Sequence, residues 1–377
     1  MPCKGLNVFR NARRIVVKLG TSTVAKETGG IDHAQLKSIV AQVAQLKKDG
    51  LEVVIVSSGA IAAGVEGLGL KARPTTIPEL QAAASVGQGL LLHEYARLFN
   101  EHDIKVGQVL LTQYDVIHRQ QYLNSRNALK TLLKLGVVPI VNENDATAVD
   151  EIRFGDNDTL AALVSNLIRA DLLILLSDIE GLYTGDPRDG GDAKLIEMVE
   201  DITTEIESLA GGGGSSFSSG GMVTKIQAAR IAIFAQVGMV IAHGRRANVL
   251  IDIMNNERVG TFFAPRKKRL SAMKLWIAFG KSPRGSVTVD DGAANALISA
   301  GKSLLPAGVV GCEGKFQTGD AITVKDLQGN IFAKGLTNFS SSEVDEIKGL
   351  KSSQVLEKFS DSASEEIIHR NCLVILR

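Results

Sequence analysis

The chain has 377 residues, of which 45% are hydrophobic and 22% charged. That is ample apolar material for a core, which excludes a disordered chain, and the length suits two domains at about 150 residues each. Lys and Arg number 42 against 41 Asp and Glu, a net charge of +1 that argues against a dedicated nucleic-acid binder with its large basic surface.

Cys3, Cys312 and Cys372 are far apart and odd in number, so neither a disulfide framework nor a Cys-x-x-Cys metal site fits. A reducing, intracellular compartment is the simplest reading. No long apolar stretch precedes the first strand, so the N-terminus does not read as a signal peptide. The longest uncharged apolar stretch, 231–242, is shorter than the ~20 residues a membrane span needs.

In chain order, the first 265 residues alternate strand and helix patterns. A β-branched run at 14–19 ends in Gly20. Residues 31–49 have helical spacing (Leu36, Ile39, Val40, Val43, Leu46), with Asp32 as cap and Gly50 as stop. A second apolar run, 51–56, ends in Ser57-Ser58-Gly59, and a helix is expected near Ala60. A long helix at 78–100 precedes a strand at 105–111, and a helix at 119–135 precedes a strand at 137–141. Further helix–strand pairs are predicted at 159–169 with 172–176, and at 224–237 with 239–242.

Strands that are apolar throughout, with helices between them, predict an α/β fold with an open, mostly parallel sheet covered on both faces. Binding then belongs at the carboxyl ends of the strands. Those ends carry Lys18 to Ser22, Ser57 to Ala60, Asn142 to Asp145, and Ser177-Asp178. A Gly/Ser tract at 210–221 has the composition of a plain linker, but its place directly before a helix favours a ligand loop.

The pattern changes near Pro265. A charge run at 266–269 is followed by short strands at 285–289, 319–324 and 331–335, with Asp326 to Asn330 as a hairpin turn. The expected division is a catalytic domain at 1–265, a linker at 266–284, and a small β-rich domain with its tail at 285–377.

There is no P-loop, and Gly67-Leu-Gly69 follows no strand, so it reads as a chance match to a dinucleotide motif. The six histidines are scattered, which leaves a histidine metal site or a catalytic triad with little support. What remains is a phosphate-handling set. Gly20 and Gly59 follow strands and let backbone N–H groups approach an anion. Lys18 is a cation inside an apolar strand, an expensive place unless it faces an anion, or else it is an edge lysine reaching water. Lys225 follows Gly220-Gly221 at a helix start, where it is either an anion ligand or an ordinary helix residue. Two lysines and backbone donors can spread the charge of a transferring phosphoryl group. Asp158 is suited to orient them by charge pairing. Phe154 to Asp158 packs two carboxylates and an amide against a helix start, more than capping requires. Asn142 to Asp145 is either an amine-binding cluster or a turn.

Ser177-Asp-Ile-Glu-Gly-Leu-Tyr-Thr-Gly-Asp-Pro-Arg188 resembles the nucleotide loop of the amino acid kinase superfamily. Val17 to Gly20 and Ser57 to Gly59 resemble its two glycine loops. Asn142 to Asp145, Phe154 to Asp158 and Gly220 to Lys225 together resemble the glutamate 5-kinase family. The stretch from about 285 to 358 looks like a PUA domain.

The resemblance implies ATP-dependent phosphorylation of the glutamate γ-carboxylate, at the start of proline synthesis. It implies Lys18 and Lys225 as phosphoryl-stabilising lysines and Asp158 as their organiser. Ser58, Asp145 and Asn157 would bind L-glutamate, with Asn142 and Asp156 nearby. Lys18, Gly20, Ser177, Asp178 and the run Ser219, Gly220, Gly221, Met222, Val223, Thr224, Lys225 would hold ATP. Ser218-Ser219 depart from the usual Gly-Thr of that loop. Mg²⁺ would be carried mainly by the ATP phosphates, without protein metal ligands. A cytoplasmic homo-oligomer built by the kinase domain is implied, with proline as feedback inhibitor and a glutamyl phosphate reductase receiving the product. An RNA-binding tail is the rival reading, but a balance of +4 over 266–377 and few aromatics speak against it.

Overall fold

A computed structural model of the chain describes residues 9, 11–26, 29–112, 115, 119–146, 157–186, 192–211, 221–267, 270–351, 354–355 and 365–376. The chain divides into two compact units, 1–269 and 270–377.

The first unit runs β1 (Arg14–Leu19), α1 (Thr21–Val24), α2 (His33–Lys48), β2 (Glu52–Ser57), α3 (Ala60–Gly67), α4 (Ile77–Asn100) and β3 (Val106–Leu111). It continues with α5 (Arg119–Lys134), β4 (Val138–Glu143), α6 (Asn157–Ile168), β5 (Leu172–Ser177), β6 (Met198–Val199) and α7 (Thr204–Gly211). It closes with α8 (Met222–Phe234), β7 (Gly238–His243), α9 (Val249–Met254) and β8 (Thr261–Phe263).

Eight strands form one sheet in the order β3-β4-β2-β1-β5-β7-β8-β6. All pairs are parallel except β7 with β8. The chain builds outward from β1 through β2, then returns to lay β5 and β7 on its other side. β1 is therefore the topological switch point, and the carboxyl ends around it form the crevice where open α/β sheets bind ligands. Ile15, Val17 and Leu19 point from β1 into the main core with Leu36, Ile39, Tyr95 and Phe99. Alternation sends Lys18 to the other face.

The expected Asp32 cap is present, accepting from the Gln35 N–H at 3.2 Å. α6 starts two residues earlier than its apolar spacing suggests, which brings Asn157 and Asp158 into the first turn. Gly67 closes α3 rather than opening a helix after a strand.

The second unit holds α10 (Ala272–Leu275), a π-helical turn (Trp276–Gly280), β9 (Gly285–Val289), α11 (Asp291–Ala300), β10 (Val309–Gly314), β11 (Ala321–Lys325), β12 (Ile331–Leu336), α12 (Ser341–Ile347) and β13 (Leu373–Ile375). Its sheet order is β10-β9-β11-β12-β13. The Asp326 turn forms as expected, with Asp326 Oδ1 accepting from Asn330 N at 2.8 Å. Two features differ from the reading of this region as short strands and turns. α11 and α12 are helices, and Ile277 and Ala278, in the stretch read as linker, form a small core with Val374.

Lys334 of β12 is buried, and its Nζ donates to the Ala278 carbonyl at 3.0 Å. Burial pushes its ammonium down to about 8. The depressed folded value means a destabilising contribution that is fully present below pH 8 and fades towards the unfolded value of 10.5. Wild type should therefore gain about 2–3 kcal/mol relative to Lys334→Met between pH 7 and pH 10.5. Urea unfolding at both pH values checks this, and a pH-independent difference would contradict it.

Candidate active site

The centre of the site is a buried charge triad. Lys18 sits on β1 between β2 and β5, paired in register with Val56 and Leu175, so it is not an edge lysine. It is 5% exposed, and its Nζ lies 2.5 Å from Asp158 Oδ1. Lys225, in the first turn of α8, is 4% exposed and places Nζ 3.2 Å from Asp158 Oδ2. Asp158 is fully buried at the start of α6, where a carboxylate also favours the positive helix end. Thr224 Oγ1 lies 2.8 Å from the Gly221 carbonyl and 3.3 Å from Asp158 Oδ2, and its single proton goes to one of them at a time. Among the described residues two ammonium groups meet at one carboxylate, an arrangement that suits an incoming anion.

The second group adjoins the first, because Asn157 precedes Asp158 on α6. Asn157 Nδ2 lies 3.0 Å from Ser58 Oγ, 3.2 Å from the Ser57 carbonyl and 2.9 Å from Asn142 Oδ1. Its Oδ1 is buried and has no hydrogen-bond partner among the described residues. Asn142 Oδ1 also accepts from the Glu143 N–H at 2.9 Å. Ser58 N–H donates to the Leu19 carbonyl at 3.0 Å, tying this loop to the end of β1.

Gly59 sits in left-handed backbone, φ 98°, and a Cβ there would meet Val24 Cγ2 at 2.6 Å. Both constraints require glycine. Gly20 differs from expectation: its N–H donates to the Leu176 carbonyl at 3.0 Å. What it offers a ligand is the missing side chain, since a Cβ would stand 3.7 Å from Lys18 Nζ.

Ser177 and Asp178 form a third group at the end of β5, with Ser177 Oγ donating to Asp178 Oδ1 at 2.8 Å. They line a cavity of about 460 Å³ with Thr21, Ser22, Lys26, His243 and Arg245. Gly221 caps α8, and Met222 and Val223 begin it, Val223 being 49% exposed. Asp145 lies half-buried in the turn after β4. Asp156, Ser219 and Gly220 lie outside the described residues.

The comparisons bear on this geometry. The sequence matches the amino acid kinase family over residues 13–243 and the PUA domain over 285–359. A glutamate 5-kinase from Carboxydothermus hydrogenoformans is 50% identical over 370 residues, covering 98% of this chain and 99% of that one. A second, from Geobacter sp. strain M21, is 45% identical over 369 residues, covering 98% and 99%. The chain belongs to the glutamate 5-kinase family, within the amino acid kinases. It is therefore a kinase, with ATP as the phosphoryl donor that this family implies. A solved structure of Giardia carbamate kinase shares the fold, with TM-score 0.50 at 17% identity, covering 68% of this chain and all of that one.

Thr21 and Ser22, within the strand-end run Lys18 to Ser22, line the cavity as that run suggested. Reading the sequence missed His243 and Tyr95; His243 ends a strand at the same sheet edge, and that position was its available signal. Tyr95 had none. It is fully buried on α4, and its hydroxyl lies 2.8 Å from Ser57 Oγ, which donates to the Ser58 carbonyl at 3.0 Å. Burial pushes the Tyr95 hydroxyl well above the ordinary phenol value, so it stays protonated.

Among the described residues, no cluster of three or more His, Cys, Asp or Glu is placed to hold a metal ion. No described helix is long and apolar enough to cross a membrane. A larger cavity, about 740 Å³, lies in the second unit and contains none of the phosphate-handling side chains.

Proposed function

We propose that the chain transfers the γ-phosphoryl group of ATP to the γ-carboxylate of L-glutamate, giving γ-glutamyl 5-phosphate for proline synthesis. The observation that carries the reading is the Lys18–Asp158–Lys225 triad at the switch point of the sheet. The attacking carboxylate is ionised at neutral pH, so no general base is required. The task is to hold two anions together and neutralise the charge that spreads over the transferring group.

Lys18 and Lys225 take that charge, and Asp158 keeps both ammonium groups aimed. Asn157, Ser58, Asn142 and Asp145 bind glutamate, with the Asn157 Oδ1 acceptor available to the substrate ammonium. Asp156 lies beside them in sequence. Ser177, Asp178, Gly20 and the loop from Ser219 to Lys225 hold ATP. The donor set fits Mg²⁺ arriving on ATP, because both oxygens of Asp158 already face lysines. When bound, the ion neutralises phosphate oxygens.

The same reading carries a cytoplasmic homo-oligomer assembled by the first unit, inhibition by proline, and transfer of the product to a glutamyl phosphate reductase. The domain division 1–265, 266–284 and 285–377 belongs to it, with the second unit modulating the kinase rather than binding RNA.

Incubation with Mg-ATP and L-glutamate in the presence of hydroxylamine tests the reaction. Glutamyl hydroxamate that requires both substrates is expected, and none from a folded, ATP-binding protein would refute glutamate as substrate. Asp145→Ala should raise the glutamate KM by at least about tenfold with little change in the ATP KM. An unchanged glutamate KM would remove Asp145 from the substrate site. Tyr95→Phe keeps the ring but removes the bond to Ser57. It should raise the glutamate KM by about threefold to tenfold while kcat stays within about twofold, since Tyr95 positions the Ser58 loop without touching the reacting atoms. A matched fall in kcat with KM unchanged would sink that role.

A further inference from the structure

The edge of the sheet opposite the triad carries a basic cluster in which Glu52 pairs with Arg14 and Asp171 accepts from the Arg13 and Arg14 N–H groups at 2.8 Å. α5 presents Arg126, Lys130 and Lys134 four residues apart, so they share one face. Lys130 lies within electrostatic range of Arg126, Arg14, Arg169 and Lys134, and burial together with these like charges holds its ammonium below the ordinary value. Arg14 begins β1, and its guanidinium donates to the Ile168 carbonyl at 2.5 Å, where α6 ends. Arg169 follows directly, in left-handed backbone at φ 57°.

Arg14 is neutralised by Glu52, 2.5 Å away. The other four are not. Among the described residues, Arg126, Lys130, Lys134 and Arg169 have no carboxylate at ion-pair distance and no side-chain hydrogen bond. Arg126 Nε is buried with no acceptor among the described residues. Helix dipoles account for Lys134 and Arg169, which sit at the ends of α5 and α6. They do not account for Arg126 and Lys130, which lie eight and four residues before the end of α5. A buried donor and four like charges at one place are stabilised by an anion.

We propose that this cluster binds a small, multiply charged phosphate, either a free oligophosphate or the oligophosphate arm of a nucleotide. From Arg126 to Lys134 the helix rises about 12 Å, the reach of a few linked phosphates. Residues 1–265 hold 26 Lys and Arg against 29 Asp and Glu, so no broad basic field extends the cluster for nucleic acid. The site is separate from the triad. Arg14 stands about 13 Å along β1 from Lys18, and Arg169 about 16 Å along α6 from Asp158.

Calorimetric titration of the full chain with inorganic tripolyphosphate, without Mg²⁺, tests this. Wild type should bind two equivalents, one at the triad and one at the cluster. The double variant Lys130→Gln/Lys134→Gln should keep the first and lose at least tenfold in affinity for the second. Lys71→Gln, at an exposed site elsewhere, should keep both. Should the double variant fail to fold by circular dichroism, Arg126→Gln replaces it with the same expectation. One equivalent in wild type, or two undiminished in the cluster variant, would overturn the proposal. Because the cluster is read from the difference between proteins, this result is independent of whether glutamate is the substrate. A parallel titration with ATP separates the sources: a second, cluster-dependent equivalent assigns the site to nucleotides, and its absence assigns it to free oligophosphate.

Discussion

Asp158→Asn should lower turnover by at least about a hundredfold and destabilise the nucleotide-free protein by about 3 kcal/mol. Both effects come from one geometry. The Asp158 carboxylate is fully buried, 2.5 Å from Lys18 Nζ and 3.2 Å from Lys225 Nζ. An asparagine fits the space but carries no charge, and two buried ammonium groups then lose the carboxylate that stands between them. Breaking a buried ion pair from one side costs about 3–5 kcal/mol, because the remaining charge stays desolvated. ATP brings its own negative charge to these lysines. Mg-ATP should therefore restore more thermal stability to the variant than it adds to wild type. Initial rates check the turnover, and thermal unfolding with and without Mg-ATP checks the stability. Wild-type stability of the variant without nucleotide would mean that the lysines do not depend on Asp158.

Lys225→Ala should also lower turnover by well over tenfold, and by about a hundredfold if its ammonium tracks the moving charge. Its stability cost should be smaller, because Asp158 keeps Lys18 as a partner. The loss should fall on kcat, with the glutamate KM nearly unchanged, since the missing charge matters most when the phosphoryl group is in transit. Lys225→Arg should not restore the rate. The site is 4% exposed and shaped for a compact ammonium, whereas a guanidinium is planar and larger. Near-normal turnover in folded Lys225→Ala would exclude the role.

Much of the first unit was legible because its strands are covered on both faces. β1, β2, β4, β5 and β7 are buried along most of their length, so each reads as a continuous apolar run. The second unit was less legible. Within α11 only Leu297 is buried, so no apolar stripe marks that helix. α12 did carry a signal, a capping box in which Ser340 and Glu343 satisfy each other's backbone. The start of α6 was placed late because spacing follows apolar residues, while its first turn is polar. Tyr95 sits within an apolar helix pattern, and nothing local distinguishes a tyrosine whose hydroxyl reaches Ser57, 38 residues away.

The sequence by itself determined the alternation of strand and helix, the edge of the sheet where chemistry belongs, and the residue types suited to phosphate. These follow from local physics: side-chain period, glycine freedom and the price of an isolated charge in an apolar strand. Only the tertiary structure decided that Lys18 is central, that Asp158 faces two lysines rather than one, and that Arg126 and Lys130 have no carboxylate partner among the described residues of the far edge. Lys225 is 67 residues from Asp158, and Lys18 is farther still. Strand order and helix placement bring such groups within hydrogen-bond distance, and neither is encoded in the spacing of neighbouring residues.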